Sequence, residues 1–283
     1  MEVDVVQRAQ GRAMIAALLL MASAIIPRYA DPPGLIVGVD ARSVTSRGVW
    51  AGWPPAVVLR DDATSGQALR FMVPAATTFP GGTALGDISL YLLEGRLTIA
   101  GRSLEQGDFL RATQGAVLGR VIASANTTML VFRNRPRTVA ARPAVTVARG
   151  AAVAWGIGQV SRDAGAPALL MVKRLWTDPA TGAQFHIVKV APGVAVPWEV
   201  HPVAEEGYLI EGDFHLAECL PSGRRDFDYA PGGYFYRPPG LIHSGPSSTT
   251  RAGATWLIRT PARLSAIFYP ACPAATASEE TNR

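Results

Sequence analysis

Lysine is nearly missing from this sequence of 283 residues: Lys173 and Lys189 are the only two, so the formal charge of +5 is carried by arginine. Those arginines are scattered rather than gathered in one basic run, which argues against nucleic acid as a partner. Cysteine is as scarce. Cys219 and Cys272 stand alone with no Cys-x-x-Cys pair, so neither a zinc ribbon nor a dithiol redox motif can be built. Cys272 lies in a Pro/Ala-rich tail, and the two are read as separate thiols, a disulfide being the alternative in an exported chain. Between Val57 and Phe132 no segment sustains a helical period, and the block from Leu169 to Ile267 is strand-rich as well. Histidine is absent from the first half of the chain; the four present are His186, His201, His215 and His243.

The N-terminus has a short flank with Arg8 and Arg12, then the apolar run "AMIAALLLMASAII" from Ala13 to Ile26 with the small-x-small triplet Ala22-Ser23-Ala24. The run is too short to span a bilayer comfortably but matches the apolar core of a secretory signal. The expectation is an exported, periplasmic or secreted protein whose mature chain begins near residue 25 or 31, with no membrane span of its own. Glu2 and Asp4 are unusual in such a flank, and the alternative is an N-terminal helix that packs on the domain or anchors it.

What the chain does have is short apolar or alternating runs separated by Gly, Pro and Asp. They fall into two blocks that repeat each other. Tyr91 to Leu97, "YLLEGRL", answers Tyr208 to Phe214, "YLIEGDF", and "EQGDFLRA" from Glu105 answers "APGGYFYRP" from Ala230. Self-similarity at a spacing of about 120 residues points to two copies of one all-β domain rather than a solenoid. Short, evenly punctuated strands favour jelly-roll barrels. The expected divisions are a signal or apolar helix at 1–30, a first barrel at 50–140, a linker at 141–168, a second barrel at 169–262 and a flexible tail at 263–283.

Chemistry concentrates in the second block. Gly193 is followed by five residues, then Glu199-x-His201, three residues, Glu205, six residues and Gly212. Downstream, Gly232 is followed by five residues, Pro238-x-Gly240, two residues and His243. In a strand, residues two apart share a face, so Glu199 and His201 can both point into a barrel, with Glu205 joining from the next strand. Two imidazoles and two carboxylates suit Fe(II), Mn(II), Ni(II), Zn(II) or Cu(II) and leave room for a substrate. Counting back from Gly95 and on from Gly107 puts Ile88 and Leu118 where Glu205 and His243 stand, so the first block has no such site.

These two motifs resemble those of the cupin superfamily, G-x5-H-x-H-x3/4-E-x6-G and G-x5-P-x-G-x2-H-x3-N. The resemblance implies two tandem jelly-roll (double-stranded β-helix) barrels, the second metallated and the first degenerate and metal-free. The second block is similar to the cupin domains of zinc-binding anti-sigma factors. Two positions depart from the pattern: Glu199 replaces the first His and Ser247 the final Asn. Glu199 is therefore either a fourth ligand beside His201, Glu205 and His243, or a catalytic acid/base next to a two-His-one-carboxylate site.

Around these residues, Trp198, Tyr208, Tyr234, Tyr236 and Trp256 are candidates to line a substrate pocket, and Arg237 and Arg259 to clamp an anionic group. His186 and His215 are candidates to orient a ligand from behind. Glu206 and Glu211 are read as exposed or near the barrel mouth and are not assigned to the metal. The resemblance implies one divalent transition metal per chain, Fe(II) favoured, and a small oxygenated organic substrate. The leading reading is a dioxygenase. A metal-dependent lyase, isomerase or decarboxylase is the alternative on the same site, and a non-catalytic binding or sensor protein the alternative of another class. A homodimer paired through sheet edges is expected.

Overall fold

The computed structural model describes residues 31–138, 142–158 and 170–272, and among them all regular structure is β-strand. No helix there is long and apolar enough to cross a membrane. The N-terminal apolar run lies outside the described residues.

The first strand is β1 (Ile36–Asp40). Nine strands build the first barrel: β2 (Ala56–Asp62), β3 (Gly66–Val73), β4 (Thr77–Thr83), β5 (Ile88–Glu94), β6 (Arg96–Ile99), β7 (Arg102–Glu105), β8 (Phe109–Ala112), β9 (Val117–Ala123) and β10 (Thr127–Arg133). Then come β11 (Val145–Ala148) and β12 (Gly156–Gly158). The second barrel contains β13 (Leu170–Thr177), β14 (Gln184–Val190), β15 (Val196–Val200), β16 (Glu205–Gly212), β17 (Phe214–Leu220), β18 (Gly223–Tyr229), β19 (Gly233–Arg237), β20 (Ile242–Gly245), β21 (Ala254–Thr260) and β22 (Ile267–Tyr269).

Each barrel is a pair of antiparallel sheets. The first joins β11-β8-β5-β10-β3-β2 to β4-β9-β6-β7, and the second joins β1-β19-β16-β21-β14-β13-β12 to β18-β17-β20-β15-β22. The orders β8-β5-β10-β3-β2 and β19-β16-β21-β14-β13 correspond strand for strand, which is the internal repeat in three dimensions.

The larger sheets of the two barrels pack face to face, so their strands are buried on both sides and read as continuous apolar runs. Period-two alternation sorts the side chains. In β5, Ile88, Leu90 and Leu92 fill the first barrel while Tyr91 and Leu93 enter the core between barrels. In β16, Leu209 points into the second barrel and Tyr208 into the shared core, where it meets Leu257, Phe132 and Phe185. Gly212 ends β16 with φ +86, and a Cβ there would lie 1.7 Å from the Gly253 carbonyl oxygen. Gly212→Ala is therefore expected to cost more than about 1 kcal/mol; an unchanged urea midpoint would contradict this reading of the motif glycine.

The expected divisions need correction at their edges. The 141–168 segment is not a plain linker, because β11 extends the first barrel beside β8 and β12 extends the second beside β13. The segment from 263 is not a free tail up to Cys272: β22 pairs with β15, and Cys272 forms a disulfide with Cys219, Cα–Cα 5.6 Å. The reading of two separate thiols is thus overturned; β22 returns the chain beside β15 and brings Cys272 to β17. Strand β1, before the first barrel, pairs with β19 of the second.

Candidate metal centre

Strand geometry assembles the four residues that the motifs singled out. Glu199 lies directly opposite His243 in the β15–β20 ladder, and Glu205 opens β16. His201 follows β15, and its carbonyl accepts the Gly240 amide across the Pro-Pro-Gly turn, 2.9 Å. One ligand atom from each of Glu199, His201 and His243 lies within 4.8 Å of the others. His243 Nε2 is 3.7 Å from Glu199 Oε1 and 3.5 Å from Glu205 Oε2, and His201 Nε2 is 3.9 Å from Glu205 Oε1. Beyond His243, the non-glycine Ser244 holds φ 72 and Gly245 φ 93, a left-handed pair that bends the end of β20.

The hydrogen bonds fix which nitrogen faces inward. His201 Nδ1 lies 2.8 Å from the Ser265 carbonyl and His243 Nδ1 3.1 Å from the Leu241 carbonyl. Each carbonyl accepts an N–H, so each Nε2 turns a lone pair toward the carboxylates. Burial pushes His243 down to about 3, which keeps it neutral. At 3.5 to 3.9 Å the Nε2–carboxylate gaps are too long for hydrogen bonds, and lone pairs face carboxylate oxygens. This donor set fits a divalent cation.

The two carboxylates differ in their surroundings. Burial lifts Glu199 to about 7. For Glu205 burial works against ionisation, but the charge and hydrogen bond of Arg237 prevail and hold it below the ordinary carboxylate value. Arg237 Nη1 donates to Glu205 at 2.8 Å while its Nε donates to Glu218 at 2.8 Å, and Glu218 is fully buried. Arg237 thus grips two carboxylates of the protein rather than offering itself to a substrate. Glu218 escaped the sequence reading; its signal was a lone acid in the apolar run "FHLAECL".

The cluster lies in a cavity of about 620 Å³ walled by Val188, Val190, Phe214, Leu216, Phe235 and Trp256, with Leu264, Ser265, Ala266 and Phe268 also lining it. Of the aromatic candidates, only Trp256 lines it. Trp198 alternates with Glu199, so it faces away and packs on the Cys219–Cys272 disulfide. Tyr208 and Tyr234 belong to the core between barrels, and Tyr236 lines a separate cleft there. His186 is buried at the cavity wall, while His215 sits on the outer hairpin, its Nδ1 2.8 Å from Asp228, and cannot support the site.

Glu206 corrects the expectation most sharply. It is 2 % exposed and accepts hydrogen bonds from Arg60 Nε at 3.0 Å, Arg259 Nη1 at 2.6 Å and the Tyr234 hydroxyl. Arg60 belongs to the first barrel, so this network joins the two. Arg259 is committed here, with Asn134 as its second partner, and lies outside the metal cavity. Glu211 is exposed, as expected.

In the first barrel the counterparts Ile88 and Leu118 are buried in a continuous apolar core. Leucine and isoleucine occupy the space that the second barrel gives to carboxylate and imidazole.

Residues 164–262 match the family model of the ChrR cupin-like domain. Three solved structures share the fold over most of the chain. A Nostoc punctiforme protein, inferred to be a dioxygenase, aligns at 16% identity over 87% of this chain and 90% of its own, TM-score 0.67. Oxalate decarboxylase from Lactobacillus farciminis aligns at 12% identity over 85% and 89%, TM-score 0.59. The Streptomyces albus enzyme HEPD, with 2-hydroxyethylphosphonate and Fe(II) bound, aligns at 11% identity over 90% and 80%, TM-score 0.58. No curated protein sequence matches the chain. The chain thus has the two-barrel cupin fold, and its second barrel is the part that matches the ChrR cupin-like domain.

Proposed function

We propose that the second barrel is a metal-dependent enzyme acting on a small oxygenated organic molecule, with one divalent transition metal held by Glu199, His201, Glu205 and His243. The observation that carries this is the pair of imidazoles whose Nε2 atoms converge on two carboxylates at the wall of a cavity. Fe(II) and dioxygenase chemistry are the favoured form, supported by the fold shared with HEPD and the Nostoc protein.

A bound divalent metal would supply Lewis-acid polarisation of a substrate oxygen and, as iron, the redox chemistry that dioxygen requires. The residues supply the rest. Ser265 and Leu241 orient the imidazoles, and Arg237 holds Glu205 ionised. The apolar wall excludes water and takes up the substrate's hydrocarbon part. Glu199 serves as the fourth ligand once deprotonated; with its pKa near 7 it is also the group able to hold a proton beside the substrate.

The test is elemental analysis of the purified protein with oxygen uptake over a panel of diketones and phenolics. One iron per chain and substrate-dependent uptake are expected. Manganese or zinc without uptake would favour a lyase or decarboxylase, for which the oxalate decarboxylase fold is the supporting likeness. The disulfide supports export, since such bonds persist in oxidising compartments.

The disulfide also bears on the site. It tethers the segment whose Ser265 carbonyl orients His201. Loss of an outer partner of this kind costs about 10–100-fold in metal affinity. Cys219→Ser/Cys272→Ser is expected to show that loss in competition with a chelating dye, and equal affinity would uncouple the segment from the metal.

A further inference from the structure

The inward face of the large sheet changes character along its length. Toward one end β13 and β14 present Leu170, Val172, Val188 and Val190; toward the other they present Arg174, His186 and Gln184, all lining the metal cavity. Arg174 and His186 are direct partners in the β13–β14 ladder, and Gln184 is two residues from His186, so the three share one face.

Two observations single out this trio. His186 is 5 % exposed, yet its Nδ1 has no hydrogen-bond partner. A buried polar atom without a partner is costly, and the His186 ring that carries it lines the cavity, so a ring turn on ligand entry would give it a partner there. Arg174 is the second. Arg60, Arg111, Arg237 and Arg259 each hold a carboxylate at 3.0 Å or less. Arg174, exposed at the rim, forms no ion pair or hydrogen bond among the described residues. Charge makes the same point. Around the candidate metal, Glu199, Glu205 and Glu218 already offset a divalent ion and Arg237, so an anionic ligand needs a cation elsewhere.

We infer that the ligand of the second barrel carries a carboxylate remote from the metal, held by Arg174 with His186 and Gln184, on an otherwise apolar body. This deepens the enzymatic reading of the same site and rests on it for the role of the metal. Strand β21, which carries Ile258 opposite His186, separates β14 from the Glu205 strand β16. Two strand spacings, about 10 Å, separate His186 on β14 from β16, and a third, about 14 Å in all, reaches the backbone of Arg174 on β13. The substrate class is thus an apolar monocarboxylate whose reacting oxygens lie at the other end.

The experiment is calorimetric titration of the full chain with 4-phenylbutyrate and its neutral isostere 4-phenylbutyramide, once stripped of metal by chelation and once loaded with zinc. The carboxylate is expected to bind roughly ten-fold or more tighter than the amide in both forms, as a charge-assisted pair implies. Arg174→Met should erase that preference and leave the amide's affinity unchanged; Arg174 is exposed, so folding is not at stake. Arg174→Lys should restore part of it.

Equal binding of the two probes, no binding of either, or a preference that survives Arg174→Met would overturn the inference. So would a preference seen only with zinc, which would make the carboxylate a metal ligand. Preference without turnover of any substrate would sustain the anchor and remove the enzyme. Turnover of a neutral substrate, indifferent to Arg174→Met, would do the reverse.

Discussion

His243→Ala is expected to abolish metal retention. The variant removes one of the two imidazoles and leaves Glu199 and Glu205 facing each other with Arg237 as the remaining permanent cation beside them. Losing a direct donor should exceed the roughly 100-fold that marks the upper end for outer partners. The cleanest readout is thermal. If the metal binds the folded state alone, metal at 1,000 times its Kd stabilises the wild type by about 4 kcal/mol, and a chelator removes that increment. A 100-fold weaker site would keep about 1.4 kcal/mol of that increment, so His243→Ala should lose at least two thirds of the chelator-sensitive stabilisation. A variant that keeps the full increment would place the metal elsewhere. Glu199→Ala separates ligand from base: parallel loss of metal and turnover makes it a ligand, whereas retained metal with lost turnover makes it a proton carrier alone.

The largest effect on stability is expected from Glu206→Gln. Two guanidinium groups and the Tyr234 hydroxyl converge on this carboxylate, and Arg60 and Tyr234 are buried with it. Breaking a buried pair on one side costs about 3–5 kcal/mol, since the remaining charges have no water to turn to. The pH dependence follows from the sign. Burial opposes its ionisation, but Arg60 and Arg259 outweigh that and hold Glu206 below its ordinary value. The unfolded chain therefore takes up its proton first, and the stabilisation is present above the ordinary carboxylate range and lost as pH falls through the folded value. Urea midpoints between pH 7 and pH 3 should show a steep acid limb in the wild type and a shallower one in Glu206→Gln. An unchanged midpoint at pH 7 would mean that the network contributes nothing net.

Much of this was legible in the residue order. Gly193 to Gly212 and Gly232 to His243 placed all four candidate ligands, because a ladder fixes which side chains share a face. That Ile88 and Leu118 stand where the second barrel has Glu205 and His243 was equally readable, and both lie in the apolar core of the first barrel. The failures on β16 share one cause. Tyr208 and Glu206 were assigned as though β16 had one buried face, but the strand is buried on both, against its own barrel and against the neighbouring one. Alternation from Glu205 already sent Glu206 and Tyr208 to the far side; what the far side touches depends on packing between sheets, which no local pattern encodes. Trp198 could have been excluded by the same rule. The disulfide and the pairing of β22 were hidden for another reason: a three-residue strand in a Pro/Ala-rich segment has too little pattern to register.

Strand β1 carries a consequence for how the chain acquires its structure. Its partner β19 is synthesised long after it, with Gly38 donating to the Tyr229 hydroxyl across a separation of 191 residues. The strands of the first barrel pair among themselves, so that barrel can close while the rest is still being made. For that interval β1 is a strand without a sheet, and the loop it must close encloses a finished domain. Completion of the second barrel should be the slow step of folding, and cutting the chain between the barrels would yield a second half whose sheet ends at an open edge on β19.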